Sequence, residues 1–127
     1  MKLDFSGDKS IYLQIAESIE DDILRGILAE EQQLPSTTEM AVALQINPAT
    51  AAKGVNLLVE EGTAYKKRGI GMFVAQGAAA RIRKKRRAAF YEDYVQKLLE
   101  EAQRLCITRE ELIAMLRSPD APEGRGA

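Results

Sequence analysis

The sequence predicts a mostly α-helical chain that carries one small β-hairpin. Three observations predict it. Apolar residues recur at spacings of three and four over most of the length, which is the helical period. Two Ser/Thr-x-x-Glu boxes and one Asn-Pro pair mark places where helices begin. Residues 63–75 alone read as two short strands around a glycine-punctuated turn.

A first helix is expected from Ser10 to Arg25. Tyr12, Ile15, Ile19 and Ile23 give it one apolar face, and Gly26 is placed to stop it. The stretch LAEEQQLP then reads as irregular chain or a short strand, closed by Pro35. A second, short helix starts at Ser36. In Ser36-Thr37-Thr38-Glu39 the hydroxyl can accept the backbone N–H three residues on, and Glu39 can reach back. Met40, Ala41 and Leu44 are its inward positions, and it ends near Leu44 or Gln45.

A third helix follows at once. Asn47 is a good N-cap, and Pro48 suits the first helical position, where no N–H is needed. Ile46 and Ala51 occupy the hydrophobic-staple positions. Ala51, Val55, Leu58 and Val59 form its buried side; Ala49, Lys53, Asn56 and Glu60 lie opposite, with Thr50 on the flank, and Gly62 ends it. TAYKK (63–67) and GMFVA (71–75) are the strands, with Lys66, Lys67 and Arg68 at the tip. Two helices joined by a tight turn and followed by a basic hairpin make a winged helix-turn-helix pattern. Small and polar residues outward at the start of the third helix suit an element that enters the major groove. The cationic hairpin suits phosphates or a minor groove.

Gln76-Gly77-Ala78 reads as a linker, and two C-terminal helices are expected beyond it. The first is long, from about Ala79 to Leu105. Phe90, Tyr94, Leu98, Ala102 and Leu105 form its apolar stripe, widened by Val95 and Leu99. Thr108-Arg109-Glu110-Glu111 is a second capping box; it opens a last helix with Leu112, Ile113 and Leu116 on one side. The expected organisation is a winged domain at 1–76, a helical dimerisation region at 79–117 and a disordered tail at 118–127. Two helices cannot bury a full core alone, so the stripe needs a partner. It can pack back on the winged domain or pair with a second copy, and pairing is the expected arrangement. A two-fold dimer also matches a palindromic site.

Composition narrows the chemistry. With 127 residues, 46% of them apolar, the chain is long enough for one domain with a real core. No apolar run is long enough for a bilayer and MKLDFSGDKS is not a secretory leader, so a cytoplasmic protein is expected. Histidine is absent and Cys106 is the lone cysteine, which removes the commonest general base and a thiolate zinc site. Cys106 is expected to be a packed small hydrophobe. Acidic runs such as Glu20-Asp21-Asp22 read as solvated helix faces. No metal, cofactor or enzymatic activity is expected. Net charge is −1 but uneven: residues 53–87 carry ten basic and two acidic side chains, a local net of +8. The run RIRKKRR (81–87) within that stretch reads equally well as a solubilising helix segment.

The span 11–74 resembles the winged helix-turn-helix domain of the GntR family of bacterial transcription regulators. The shared signature includes Gly26, Leu34-Pro35-Ser36, Ala41, Leu44, Thr50, Leu58, Glu61-Gly62 and the run Gly69-Ile70-Gly71-Met72-Phe73-Val74. The Ile46-Asn47-Pro48-Ala49-Thr50 opening and the short remainder resemble the YtrA-type subfamily, whose members have two C-terminal helices that mediate dimerisation. The resemblance implies DNA contacts at Ser36, Thr38, Asn47, Ala49, Thr50, Lys53, Lys66, Arg68, Gly69 and Gly71. Ser36 and Asn47 also have capping roles, and Gly69 and Gly71 serve the turn. Thr38 stands where the family usually has an Arg that contacts DNA. Lys53 replaces another Arg, keeping the charge without the fork. Ala52 and Gly54 replace bulkier or more helix-favouring residues. Together these departures imply a changed operator preference or weaker binding.

The expected function is a homodimeric, sequence-specific DNA-binding regulator, a repressor that occupies a palindromic operator. Its partners are double-stranded DNA and a second copy of the chain. A small-molecule effector would sit near Tyr65, Phe90, Tyr91 and Tyr94. The alternative is a protein-interaction module on a winged-helix scaffold that does not bind DNA.

Overall fold

The computed structural model describes residues 1–118, so residues 119–127 of the expected tail lie outside the described residues. The element order is α1 (Ile11–Leu24), α2 (Thr37–Leu44), α3 (Pro48–Glu60), β1 (Ala64–Lys67), β2 (Gly71–Val74), α4 (Ala78–Phe90), a π-helical turn (Tyr91–Val95), α5 (Gln96–Arg104) and α6 (Arg109–Arg117). The mostly helical class with one antiparallel hairpin is as the sequence predicts. Two compact units divide it, at 1–86 and from Arg87 onward.

In the first unit each helix start follows from its cap. Ser36 Oγ accepts from the Glu39 N–H at 3.0 Å, and Glu39 accepts in return from the Ser36 N–H at 3.3 Å. Asn47 Oδ1 accepts from the Ala49 N–H at 2.8 Å, with Pro48 at the first helical position. Between α2 and α3 the chain turns in three residues. Gln45 takes a left-handed φ of 55° to do so, a conformation that Gln adopts at some cost.

The core is a single cluster built from α1, α2, α3, the hairpin and the start of α4. Ile15, Ala51, Val55, Leu58, Val74, Ala78 and Ile82 are fully buried. Each large aliphatic side chain among them stabilises the fold by about 1.5–3 kcal/mol through water exclusion. Gly54 sets the closeness of α1 and α3. A Cβ there would lie 2.8 Å from the Tyr12 carbonyl oxygen and 3.0 Å from Ile15 Cγ2. Its absence of a side chain therefore serves helix packing.

Ala78 and Ile82 correct the reading of 76–78 as a spacer. Gln76-Gly77 is a tight turn, Gly77 has φ 74°, and α4 enters the core at its first residue. Part of the basic run is likewise structural. Arg81 Nη1 donates to the Gly62 carbonyl just beyond α3, a favourable place for a cation at a helix C-terminus. Lys85 donates to Glu20 and, at 2.7 Å, to Glu61. Arg86 bridges Asp21 at 2.7 Å and Glu20 at 3.1 Å, and donates to the Glu17 carbonyl. Glu20 is 1% exposed, so it is no solvated helix face. Its two cations explain how a carboxylate tolerates burial.

In the second unit, the long helix is interrupted by the π turn at Tyr91–Val95. Ala102 and Leu112 are buried there, while Phe90, Tyr94, Leu98, Leu105, Ile113, Met115 and Leu116 are exposed. Thr108 and Glu111 form the second capping box. Cys106 is exposed with φ 56°, in the turn after α5, so it is not a packed hydrophobe. Left-handed φ is a turn requirement, and a residue in that turn has no core to enter.

Candidate nucleic-acid interface

The outward side of α3 is built by spacing. Ala49, Lys53, Asn56 and Glu60 are exposed at intervals of four, three and four, opposite the buried Ala51, Val55 and Leu58. Thr50 is half-buried on the flank. Ser36 and Thr38, at the start of α2, are exposed. The Ser36 hydroxyl and the Asn47 carboxamide oxygen are both engaged in caps, so the structural roles read from the sequence are present at both residues.

The hairpin is braced from one side. β1 and β2 pair antiparallel, with Tyr65 opposite Phe73 and Lys67 opposite Gly71. The stretch before Pro35 adds a short antiparallel bridge to β2: Glu31 N–H donates to the Val74 carbonyl at 2.8 Å, Val74 N–H to Gln32 at 2.9 Å, and Leu34 N–H to Met72 at 2.8 Å. LAEEQQLP is therefore strand-like where it meets the hairpin, and it covers an otherwise open edge. Gln33 Nε2 donates to the Ile70 carbonyl at 3.0 Å and pins the tip. Gly71 has φ 145°, and a Cβ there would lie 2.6 Å from Gln33 Nε2. Gly69, at φ 78°, has open space around it, so backbone conformation alone demands the glycine.

Lys66, Lys67 and Arg68 are exposed at the tip. Lys67 Nζ stands 4.5 Å from the Phe73 ring centroid, and the Tyr65 ring stacks on Phe73 with centroids 5.9 Å apart. The Tyr65 hydroxyl donates to Glu31. That hydrogen bond is the main reason the phenol is raised above its ordinary 10.0, with burial and the Glu31 charge adding to it. Of the aromatics expected near an effector, Tyr65 is thus committed within the wing. Phe90 and Tyr94 form a tilted ring pair at 5.5 Å in the second unit, where Tyr91 is also exposed.

One residue that sequence reasoning assigned only to the core face of α1 belongs to this surface. The Tyr12 ring lies under Lys53, with Nζ 4.1 Å from its centroid. Tyr12 is half-buried rather than buried. The signal was available in residue type: a Tyr at the edge of an apolar stripe has a polar end that needs water or a partner.

A helix-turn-helix whose second helix presents a small and polar face, followed by a braced cationic hairpin, defines a winged helix-turn-helix DNA-binding protein. Comparison with known proteins places it further. Residues 11–74 match the pattern of the bacterial regulatory proteins of the gntR family. The chain is 30% identical over 116 residues to the HTH-type transcriptional regulator YhcF of Bacillus subtilis, covering 90% of this chain and 93% of that one. It is 31% identical over 78 residues to the HTH-type transcriptional repressor YtrA of the same organism, covering 61% of this chain and 60% of YtrA. Among solved structures, a GntR-family transcriptional regulator from Bacteroides thetaiotaomicron superposes with TM-score 0.66 at 38% identity, over 84% of this chain and 93% of that one. The DNA-binding domain of AraR in complex with operator ORX1 superposes with TM-score 0.52 at 29% identity, over 59% of this chain and 96% of that one. The chain belongs to the GntR family of DNA-binding transcription regulators, and its similarity to YtrA fits the YtrA-type subfamily. No helix among the described residues is long and apolar enough to cross a membrane, and no group of side chains there could hold a metal ion.

Proposed function

We propose that the protein is a cytoplasmic, non-enzymatic, homodimeric repressor that occupies a palindromic operator through α3 and the wing. The observation that carries this reading is the exposed face of Ala49, Lys53 and Asn56 in the same compact unit as a glycine-turned, cation-tipped hairpin. The complex of the AraR DNA-binding domain with its operator supports it. On this reading Thr50 and Asn56 face base edges, Lys66 and Arg68 lie along phosphates, and Gly69 and Gly71 let the tip come close. Ser36, Thr38 and Asn47 approach the backbone at the starts of α2 and α3. The exposed apolar residues of the second unit support self-association: Phe90, Tyr94, Leu98 and Leu105 give a second copy something to bury, whereas Ala102 is already buried within the unit. The winged unit is 1–76 extended by the buried start of α4, and residues 87–117 serve pairing. An effector would meet Phe90, Tyr91 and Tyr94.

The test is selection of bound duplexes from a randomised pool, followed by anisotropy titrations over a salt series. The enriched sequences should be two-fold symmetric. Affinity should fall steeply with salt, and replacing Lys66 and Arg68 by Ala should flatten the log–log slope by about 0.9 for each phosphate left without its cation. Sedimentation should report a dimer at micromolar concentration. Affinity indifferent to salt and sequence would instead favour the protein-interaction reading.

A further inference from the structure

We propose that Lys53 grips a DNA phosphate rather than a base edge, and that Tyr12 is the residue that positions it. This rests on the DNA-binding reading above. The ammonium of Lys53 lies over the face of Tyr12, 4.1 Å from the ring centroid, so its four-carbon stem is drawn from α3 toward α1. A cation held over a ring is stabilised by the ring quadrupole and loses rotamer freedom before any ligand arrives. Phosphate needs only a point charge at the right place. A base edge rewards a planar fork, which Lys lacks.

The space around the pair suits a phosphodiester. Tyr12, Lys53, Ala49 and Ala52 line a shallow surface hollow of about 460 Å³ along α3. The two alanines leave room for a backbone to come close. The hollow also contains Glu60, which repels an anion. Glu60 lies seven residues beyond Lys53, about 10 Å along the helix axis, so the phosphate belongs at the Ala49 end. Among the described residues the Tyr12 hydroxyl makes no hydrogen bond and remains available as a second donor to the same oxygens. Sequence discrimination then falls to Thr50 and Asn56.

The experiment compares the duplex enriched by the wild type with a scrambled duplex of equal length. Lys53→Ala should weaken both by the same factor, leave their ratio unchanged and lower the salt slope by about 0.9. Tyr12→Leu should do most of the same, add little when combined with Lys53→Ala, and leave the melting temperature near that of the wild type. Tyr12→Phe keeps the ring and should retain most of the affinity. Without any DNA, the Lys53 ε-methylene protons should resonate upfield through the ring current in the wild type and in Tyr12→Phe. They should return to the usual position in Tyr12→Leu. A Lys53→Ala variant that collapses the enriched-to-scrambled ratio overturns the proposal while leaving the DNA reading intact. So does a wild type whose Lys53 protons show no ring-current shift. A wild type that enriches no duplex at all overturns both.

Discussion

Replacing Lys85 and Arg86 together by Met should lower the free energy of unfolding at pH 7 by about 3 kcal/mol. Glu20 would then be left among aliphatic stems with no cation, although it is 1% exposed in the native chain. The figure sits at the low end for a broken buried pair because Lys85 and Arg86 are 46% and 36% exposed, and solvent already screens them. Adding Glu20→Met should return most of the loss, since an apolar side chain of similar volume removes the stranded charge. Denaturant midpoints of the double and triple variants measure both steps. A triple variant no more stable than the double would show that Glu20 is not held by its charge.

The same network gives an alkaline signature. Burial is the largest single influence on Lys85 and pulls its pKa down. The hydrogen bonds to Glu20 and Glu61, with their charges, outweigh it and leave the pKa above the ordinary 10.5. The folded state therefore favours the protonated form. This contribution is complete below pH 10.5 and is lost as the pH rises through the raised value. Lys85→Met should lack that part of the high-pH loss.

Gly54→Leu is expected to cost about 3 kcal/mol, the upper end of the range for overpacking. The gain in helix propensity, about 1 kcal/mol, offsets only part of the strain. Two kinds of atom stand in the way. Ile15 can be trimmed, but the Tyr12 carbonyl is backbone and can move only if α1 moves with it. Combining Gly54→Leu with Ile15→Ala, which removes the Cγ2 atom in the way, should thus relieve the variant only in part. Full additivity in a double-mutant cycle, read from thermal melts, would show that the two sites do not touch.

What could be read from the sequence was whatever a single element decides for itself. The Ser36 and Thr108 boxes, the Asn47-Pro48 start and the glycine-turned hairpin depend on neighbours within a few residues, and each forms where the residues say. Glu20 shows the limit. Its neighbours Asp21 and Asp22 made it look like solvated surface, yet it is spaced four from Ala16 and three from Ile23, on the buried side. What makes that tolerable is cations 65 residues or more away in sequence, and no local pattern reports them. Tyr12, Gly54 and Ala78 are the same case: each role is fixed by a helix packed against it. In the interface, residue types and the face of α3 were legible. The ring beneath Lys53 and the brace behind the wing were not, because both join segments that are distant along the chain.

The wide turn at Tyr91–Val95 carries a message about length. A π turn holds one more residue than the α-helix around it would use. Deleting one residue there would let an ordinary helix run straight through. Because the turn already absorbs that extra residue, everything downstream would stay near its present orientation, whereas the same deletion from an ordinary α-helix would rotate it by about 100°, the angle between neighbours. The aromatic ring at Phe90 and the aliphatic side chain at Leu98 would then keep roughly their present alignment, although the stretch between them was one residue shorter. In this stretch the helix face can therefore lose one residue and keep its phase, a change that would reshape it elsewhere along α4 or α5.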